Sequence, residues 1–254
     1  MPEPPPSAAS CATALPVLYA DDALAVVDKP AGLMVHDSAL ARGETDFAAD
    51  RLREQFGKPI FLVHRLDRAT SGCLLLAFDR ETASKLGKML MSQRDEPGGA
   101  SAQDNALEKD YWAICRGWPA PEFEVDHALD GGPGKPLKKP AVTRFQRLAT
   151  TELALPSSGF DTSRYALLRA QPQTGRFRQI RRHLKHVSHH LIGDSSHGDG
   201  RHNRNFRTLG IHRMLLHAQR LAFAHPHGGA RIQVQAPPDT QLARALALFE
   251  GNAT

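Results

Sequence analysis

The sequence predicts an α+β fold. Three observations lead there: strand-like segments outnumber helix-like ones, few alternate as strand–helix–strand units, and 41% of the 254 residues are hydrophobic against 23% charged. The composition is ordinary for a globular chain that buries a sizeable core. The scarcity of alternation favours strands and helices in separate runs over a doubly wound parallel sheet. Length alone allows one large domain or two small ones. There is no internal repeat. Residues 1–15 are rich in Pro, Ala and Ser and read as a disordered tail.

From Val17 the pattern becomes structured. Val17–Tyr19 and Ala23–Val27 are short apolar runs divided by Asp21-Asp22, a turn signal, and read as a hairpin. Lys29-Pro30-Ala31-Gly32 ends the second run. Asp46–Phe56 has helical spacing, with Phe47, Leu52 and Phe56 on one face. Phe61–His64 and the Leu-dense Gly72–Phe78 read as strands, and Glu81–Ser92 as a helix. Arg94–Asn105 is polar and carries Gly, Ala, Ser and Pro97, as surface loops do. Tyr111–Gly117 is a strand. Asp130–Pro140 is read as a loop, holding three Gly, three Pro and three Lys. Ala166–Gln171 is a strand that enters the turn Pro172-Gln173-Thr174-Gly175. Arg178–Val187 is a helix whose Ile180, Leu184 and Val187 share an apolar face. Met214–Leu216, Leu221–Ala224 and Ala230–Val234 read as three strands, and Thr240–Phe249 as a closing helix.

Charge is unevenly spread. Between Arg164 and Arg213, ten Arg and one Lys stand against Asp194 and Asp199 alone, a local charge of +9. That leaves −4 for the remainder of a chain whose net charge is +5. Such asymmetry is what a basic face for a polyanion looks like, although an Arg-rich solvated surface has the same composition. Three cysteines, an odd number without a CxxC pair, argue against a disulfide framework and a cysteine zinc site, and fit a reducing cytoplasm. Met1–Ser10 carries Glu3 and a Pro run without a basic n-region, so a secretory signal is not expected. No apolar run approaches the length of a membrane span.

Two stretches concentrate chemistry. In the first, a strand delivers His64-Arg65-Leu66-Asp67, and the small turn Ala69-Thr70-Ser71-Gly72 returns the chain into the next strand. A carboxylate on a tight connection between two rigid elements is well placed for catalysis. It is equally well placed to bond the Ala69 or Thr70 amide as a turn residue. The second stretch, Gln173 to Leu184, joins a turn to a helix start with Arg176 at the junction. An Arg there can pair with a buried carboxylate such as Asp67 and keep it ionised, or the whole Arg set can face phosphates and water.

His64-Arg65-Leu66-Asp67-Arg68-Ala69-Thr70-Ser71-Gly72 resembles the signature of RluA-type pseudouridine synthases. Asp28–Gly32, Lys109–Ala113, Thr174-Gly175-Arg176 and Leu216-His217-Ala218 agree with that family in the same order, so the resemblance runs over roughly Val17 to Phe249. Within the family it is closest to members that act on uridine 65 of tRNA, through Arg181–His186, Ile192–Asp199 and Arg201–Arg204. The family usually has His where Arg178 stands here, and a shorter connection than Arg94–Asn105.

The resemblance implies a mixed, mostly antiparallel central sheet flanked by helices and loops, with the active-site cleft across it, in one catalytic domain over 16–250. It implies Asp67 as the catalytic carboxylate, acting on C1′ as a nucleophile or assisting a glycal route. Tyr111 is the active-site tyrosine, able to stack on the uracil and to serve as a base. Arg176 holds Asp67, and Ile180 packs beneath the base. Arg65 fills the space left by a flipped uridine, whose extrusion costs about a few kcal/mol. Arg181, Arg182, Lys185, Arg201 and Arg204 contact phosphates. The partner is RNA, tRNA first and ribosomal RNA as the alternative; a non-catalytic RNA-binding protein of the same fold is the other. Isomerisation needs no cofactor and no energy source, and no membrane or protein partner is implied. His183, His186, His189 and His190 have spacings that could hold zinc, but there is no HExxH, adjacent Glu or Cys pair beside them, so no metal is expected.

Overall fold

The computed structural model describes residues 14–37, 43–95, 107–157, 159–228 and 230–250, with backbone alone for 92–95. Most of the expected tail, and the loop beyond residue 95, lie outside the described residues. The chain opens on a hairpin, β1 (Val17–Ala20) and β2 (Leu24–Lys29), paired antiparallel. Asp21 makes the turn, its carboxylate accepting from the amides of Ala23 and Leu24. Helix α1 (Ala48–Phe56) buries Ala48, Ala49 and Leu52 and ends on Gly57 in the left-handed region. After β3 (Phe61–Leu62) comes β4 (Ser71–Ala77), buried at every position. A strand covered on both faces needs an unbroken apolar run rather than alternation, and Cys73 to Ala77 supply it.

Helix α2 (Arg80–Asp95) leads to β5 (Glu108–Arg116), β6 (Glu122–Asp126) and a small pair, β7 (Leu129–Asp130) with β8 (Lys138–Lys139). The 130–140 stretch is therefore a loop closed by a two-stranded clasp. Then follow β9 (Val142–Leu153), β10 (Ser163–Pro172), α3 (Gln179–His186), α4 (Gly200–Thr208), β11 (Leu216–Ala224), β12 (Arg231–Gln235) and α5 (Thr240–Ala247). The two apolar runs expected at 214–224 form one strand. It stays continuous across a register shift between His217 and Arg220, where Arg220 bonds Glu108 and Asp110.

Ten strands make one sheet in the order β1-β2-β4-β11-β5-β10-β9-β6, with β12 on β11 and β3 on β4. All pairings are antiparallel except β4 with β11, which run parallel through Ser71–His217 and Gly72–Ala218. This is the α+β, mostly antiparallel sheet that the sequence predicts. Apolar layers cover both faces. One joins Val27, Leu52, Leu74, Tyr111, Ile180 and Leu184; the other joins Leu75, Leu86, Leu221 and Val234. A third cluster packs Ile114, Tyr165 and Phe206 against α5 through Leu242. Among the described residues no helix is long and apolar enough to cross a membrane.

Candidate active site

The connection from β3 to β4 carries His64 to Thr70. Leu66 is buried and anchors it. The Thr70 amide donates to the Asp67 carbonyl at 3.0 Å. The backbone of Asp67 thus closes the turn, and its carboxylate is left for other work. A second loop cradles this turn. Gly32 N donates to Arg68 O at 2.8 Å, and Arg68 Nε returns a bond to Gly32 O at 3.0 Å. Buried Lys29 ties the two together, its Nζ donating to the carbonyls of Pro30 at 2.7 Å, Leu33 at 2.9 Å and Arg68 at 3.3 Å. Burial, then the charge of Arg213, pulls the Lys29 pKa down to about 7. Three donors landing on three carbonyls is an arrangement that only the ammonium satisfies in full.

Asp67 sits in a cleft of about 290 Å3 whose walls include Arg65, Lys109, Tyr111, Arg176, Arg178 and Ile180. Its Oδ2 accepts from Arg181 Nη1 at 2.7 Å, and its side chain remains 26% exposed. This corrects the expected partner. Arg176 lines the cleft, but its Nε donates to Pro140 O at 2.9 Å, and the guanidinium on Asp67 comes from Arg181. The physical reason lies in α3. Gln179 accepts from Arg176 N and Thr174 Oγ1 and donates to Val142 O and Thr143 Oγ1. That network fixes the helix start so that Arg181, two residues on, faces inward.

Arg181 was also expected on phosphates. It is buried instead, and forks onto Asp194 through Nε at 2.6 Å and Nη2 at 2.8 Å. Burial opposes its charge, but the bonds to Asp194 and Asp67 outweigh this and raise its pKa. For Asp194, burial is likewise outweighed by Arg181 and by the amides of His197 and Ser196, and its pKa is lowered. In the sequence Asp194 shows only as one of two Asp residues in an Arg-rich run.

Tyr111 lies on β5 beside this group. Burial, then the negative charge of Asp67, raises its phenol pKa. The hydroxyl is held protonated and is able to donate a hydrogen bond; taking a proton as a phenolate base is opposed by the same surroundings. Ile180 is buried at the cleft floor, and Arg65 is exposed at its edge. His64 keeps some surface toward the cleft, but protein packs around its ring, and that burial brings its pKa down to about 3. It is a neutral acceptor for Leu75 N at 3.1 Å. Arg178 adopts φ 51°, with its guanidinium 4.8 Å from the Phe177 ring.

Four other expected RNA contacts do not line the cleft. Arg182 is engaged within the protein: its two amines donate to the carbonyl and carboxylate of Asp130 and pin the 129–139 clasp to α3. Lys185, Arg201 and Arg204 are exposed. Of the histidines with zinc-like spacing, His183 bonds Thr143 and His127 O, His189 bonds Arg116 O, His190 bonds His197 O, and His186 stacks on His127.

Residues 23–186 match the family model described as RNA pseudouridylate synthase. The chain is similar to proteins named tRNA pseudouridine synthase C. It is 38% identical over 246 residues to that of Vibrio parahaemolyticus, covering 93% of this chain and 95% of the relative. To that of Haemophilus ducreyi it is 39% identical over 236 residues, covering 89% and 92%. In structure it is similar to Human RNA Pseudouridylate Synthase Domain Containing 1, with a TM-score of 0.69, 21% identity and coverage of 98% of this chain and 93% of the other. A second likeness is to Human RNA Pseudouridylate Synthase Domain Containing 4, with a TM-score of 0.65, 22% identity and 92% of both chains covered.

Proposed function

The chain belongs to the RNA pseudouridylate synthase family and is an enzyme that isomerises uridine in RNA, and from that premise we propose that its target is uridine 65 of tRNA, with Asp67 as the catalytic carboxylate. The observation that carries the reading is the position of Asp67: partly open to the cleft, bonded through one oxygen to a buried guanidinium, with Tyr111 beside it. The relatives named for tRNA support the substrate. A tRNA target places the work in the cytoplasm. Residues 16–250 act as one catalytic domain.

In the reaction the N1–C1′ bond breaks, the uracil turns, and a C5–C1′ bond forms. The C5 hydrogen leaves as a proton and N1 gains one, so there is no net redox change. Asp67 meets the positive charge that develops at C1′, by covalent attack or by stabilising a glycal route. Tyr111 offers its ring to the uracil and its hydroxyl as a donor. Ile180 packs beneath the base. Arg65, exposed at the cleft edge, fills the stack that the flipped uridine vacates. Lys185, Arg201 and Arg204 present their charges to the RNA backbone.

Asp67→Asn tests this. The variant is expected to fold and bind tRNA, yet release no tritium from uracil C5 of labelled tRNA. Turnover near the parent rate removes Asp67 from its role. In cells lacking the gene, carbodiimide mapping is expected to show pseudouridine lost at tRNA position 65. Loss confined to ribosomal RNA refutes the target and leaves the enzyme class intact.

A further inference from the structure

Among the described residues, four guanidiniums line the cleft that holds Asp67, and they are not equally committed. That of Arg181 is bonded to Asp67 and Asp194. Arg176 Nε donates to Pro140 O at 2.9 Å, and Arg65 is exposed at the edge. Arg178 is half-buried in the wall, and no carboxylate or carbonyl among the described residues takes its guanidinium. The contact it does make is with a ring: its Cζ stands 4.8 Å from the centroid of Phe177.

Both halves of this arrangement are fixed. Arg178 has φ 51°, in the left-handed region that a residue with a side chain rarely adopts. The start of α3 locks it there. The Arg178 carbonyl accepts from Arg182 N at 3.0 Å, and Arg176 N donates to Gln179 Oε1 at 2.9 Å. The ring is held by the clasp: Phe177 lies so close to Gly132 that an added Cβ would come within 2.7 Å of its Cδ1. Arg182 ties the same clasp to α3 through Asp130. A guanidinium resting over a ring keeps its N–H groups for another acceptor. Its charge is felt nearby. Burial lowers the His197 pKa, Asp194 opposes this, and the charges of Arg181, Arg178 and Lys185 add to the lowering.

We propose that Arg178 is a phosphate-binding residue of the cleft, taking a phosphate that adjoins the target uridine and so setting the position of its ribose relative to Asp67. A guanidinium meets two phosphate oxygens with two parallel N–H bonds. Such contacts fix register on the RNA rather than read its sequence. The proposal rests on the reading that Asp67 marks the place of the reacting ribose.

The test is kcat/KM for tritium release from C5-labelled RNA, for the parent and Arg178→Gly. Three RNAs are compared: unmodified, and with a neutral methylphosphonate on the 5′ or the 3′ side of the target uridine. Gly accepts left-handed backbone, so Arg178→Gly removes the guanidinium without added strain and is expected to melt close to the parent. On unmodified RNA it is expected to lose about tenfold to a hundredfold, the range for one lost charge-assisted bond. The slope of its log affinity against log salt is expected to fall by about 1. One of the two methylphosphonates is expected to cost the parent a similar factor and to cost Arg178→Gly nothing further, because the two halves of one contact are non-additive. Parent kcat/KM in Arg178→Gly overturns the proposal. So do methylphosphonates that cost the parent nothing, or that cost both proteins the same. If Arg178→Gly does not fold, Arg178→Gln, which keeps most of the length without the charge, takes its place in the cycle with the same outcomes. Asp67→Asn keeps the two readings apart: inactive Asp67→Asn with equal methylphosphonate costs in parent and Arg178→Gly sinks only the role of Arg178, whereas active Asp67→Asn sinks the catalytic assignment beneath it.

Discussion

His64 immediately precedes the functional loop, and its ring is kept neutral by its surroundings. Burial, then the nearby charge of Lys109, brings its pKa down to about 3, against about 6.5 for a free imidazole. The unfolded chain takes up this proton below about pH 6.5, and the folded chain resists until about pH 3. His64 therefore contributes fully to stability above pH 6.5, and the contribution is lost as the pH falls through that window. The slope from one such group is at most about 1.4 kcal/mol per pH unit. Buried His183, His202 and His217 are shifted the same way, by burial first. Gln keeps an acceptor for Leu75 N but cannot titrate, so His64→Gln is expected to melt with a shallower fall between pH 7 and pH 5 than the parent. Identical slopes would remove His64 from the acid response. At this scale the sequence pointed to Asp67, Tyr111 and Ile180 through the residues around them. It placed Arg176 on Asp67 because a turn residue ahead of a helix looks well aimed. It could not see that Gln179 rotates α3 to aim Arg181 there.

The element that fixes the site is the parallel join of β4 and β11. Gly72 is at φ +106°, and a Cβ there would lie 2.3 Å from the Ala218 carbonyl oxygen. The join lies just after the functional turn, with Ser71 and Gly72 facing His217 and Ala218. Left-handed backbone costs about 1–2 kcal/mol for a residue with a side chain, and the clash has to be relieved by backbone movement. Gly72→Ala is expected to lower stability by at least about 2 kcal/mol in urea unfolding. An unchanged midpoint would mean that the two strands separate freely. Apolar runs made β2, β4 and α2 legible. Five elements were missed, the short clasp strands β7 and β8 among them. β6 does alternate, with Glu122, Glu124 and Asp126 exposed and Phe123 and Val125 covered, but over five residues only, whereas β9 buries polar Thr143 and Thr151, which hides its alternation. α4 has Phe206 as its one large apolar residue, and buries His202 and Asn203 beside it. Its start is set by Asp199, whose carboxylate accepts from Arg201 N and pairs with Arg116.

Across the whole molecule, the +9 stretch does two jobs. Arg181, Arg182 and Arg213 are turned inward onto Asp194, Asp130 and Asp239, whereas Lys185, Arg201 and Arg204 remain on the surface. Among the cations of this stretch, the surface ones are expected to contribute most to the fall of RNA affinity with salt, since charges turned inward onto carboxylates release few counterions. Arg204→Ala is expected to reduce the slope of log affinity against log salt by about 1. Arg182→Ala is expected to leave the slope at the parent value, because its charge is already met by Asp130. A reduced slope in Arg182→Ala, or an unchanged one in Arg204→Ala, would reverse this division.

Periodicity and composition were enough for the α+β class, for most of the strands and for a basic region, because burial imposes its pattern on every element it covers. The motif around Asp67 was enough for the family. Which cation meets that carboxylate was decided only in three dimensions. Arg181 and Asp194 lie 114 residues or more along the chain from Asp67. Hydrogen-bond direction depends on helix rotation and loop closure, and neither leaves a trace in residue spacing.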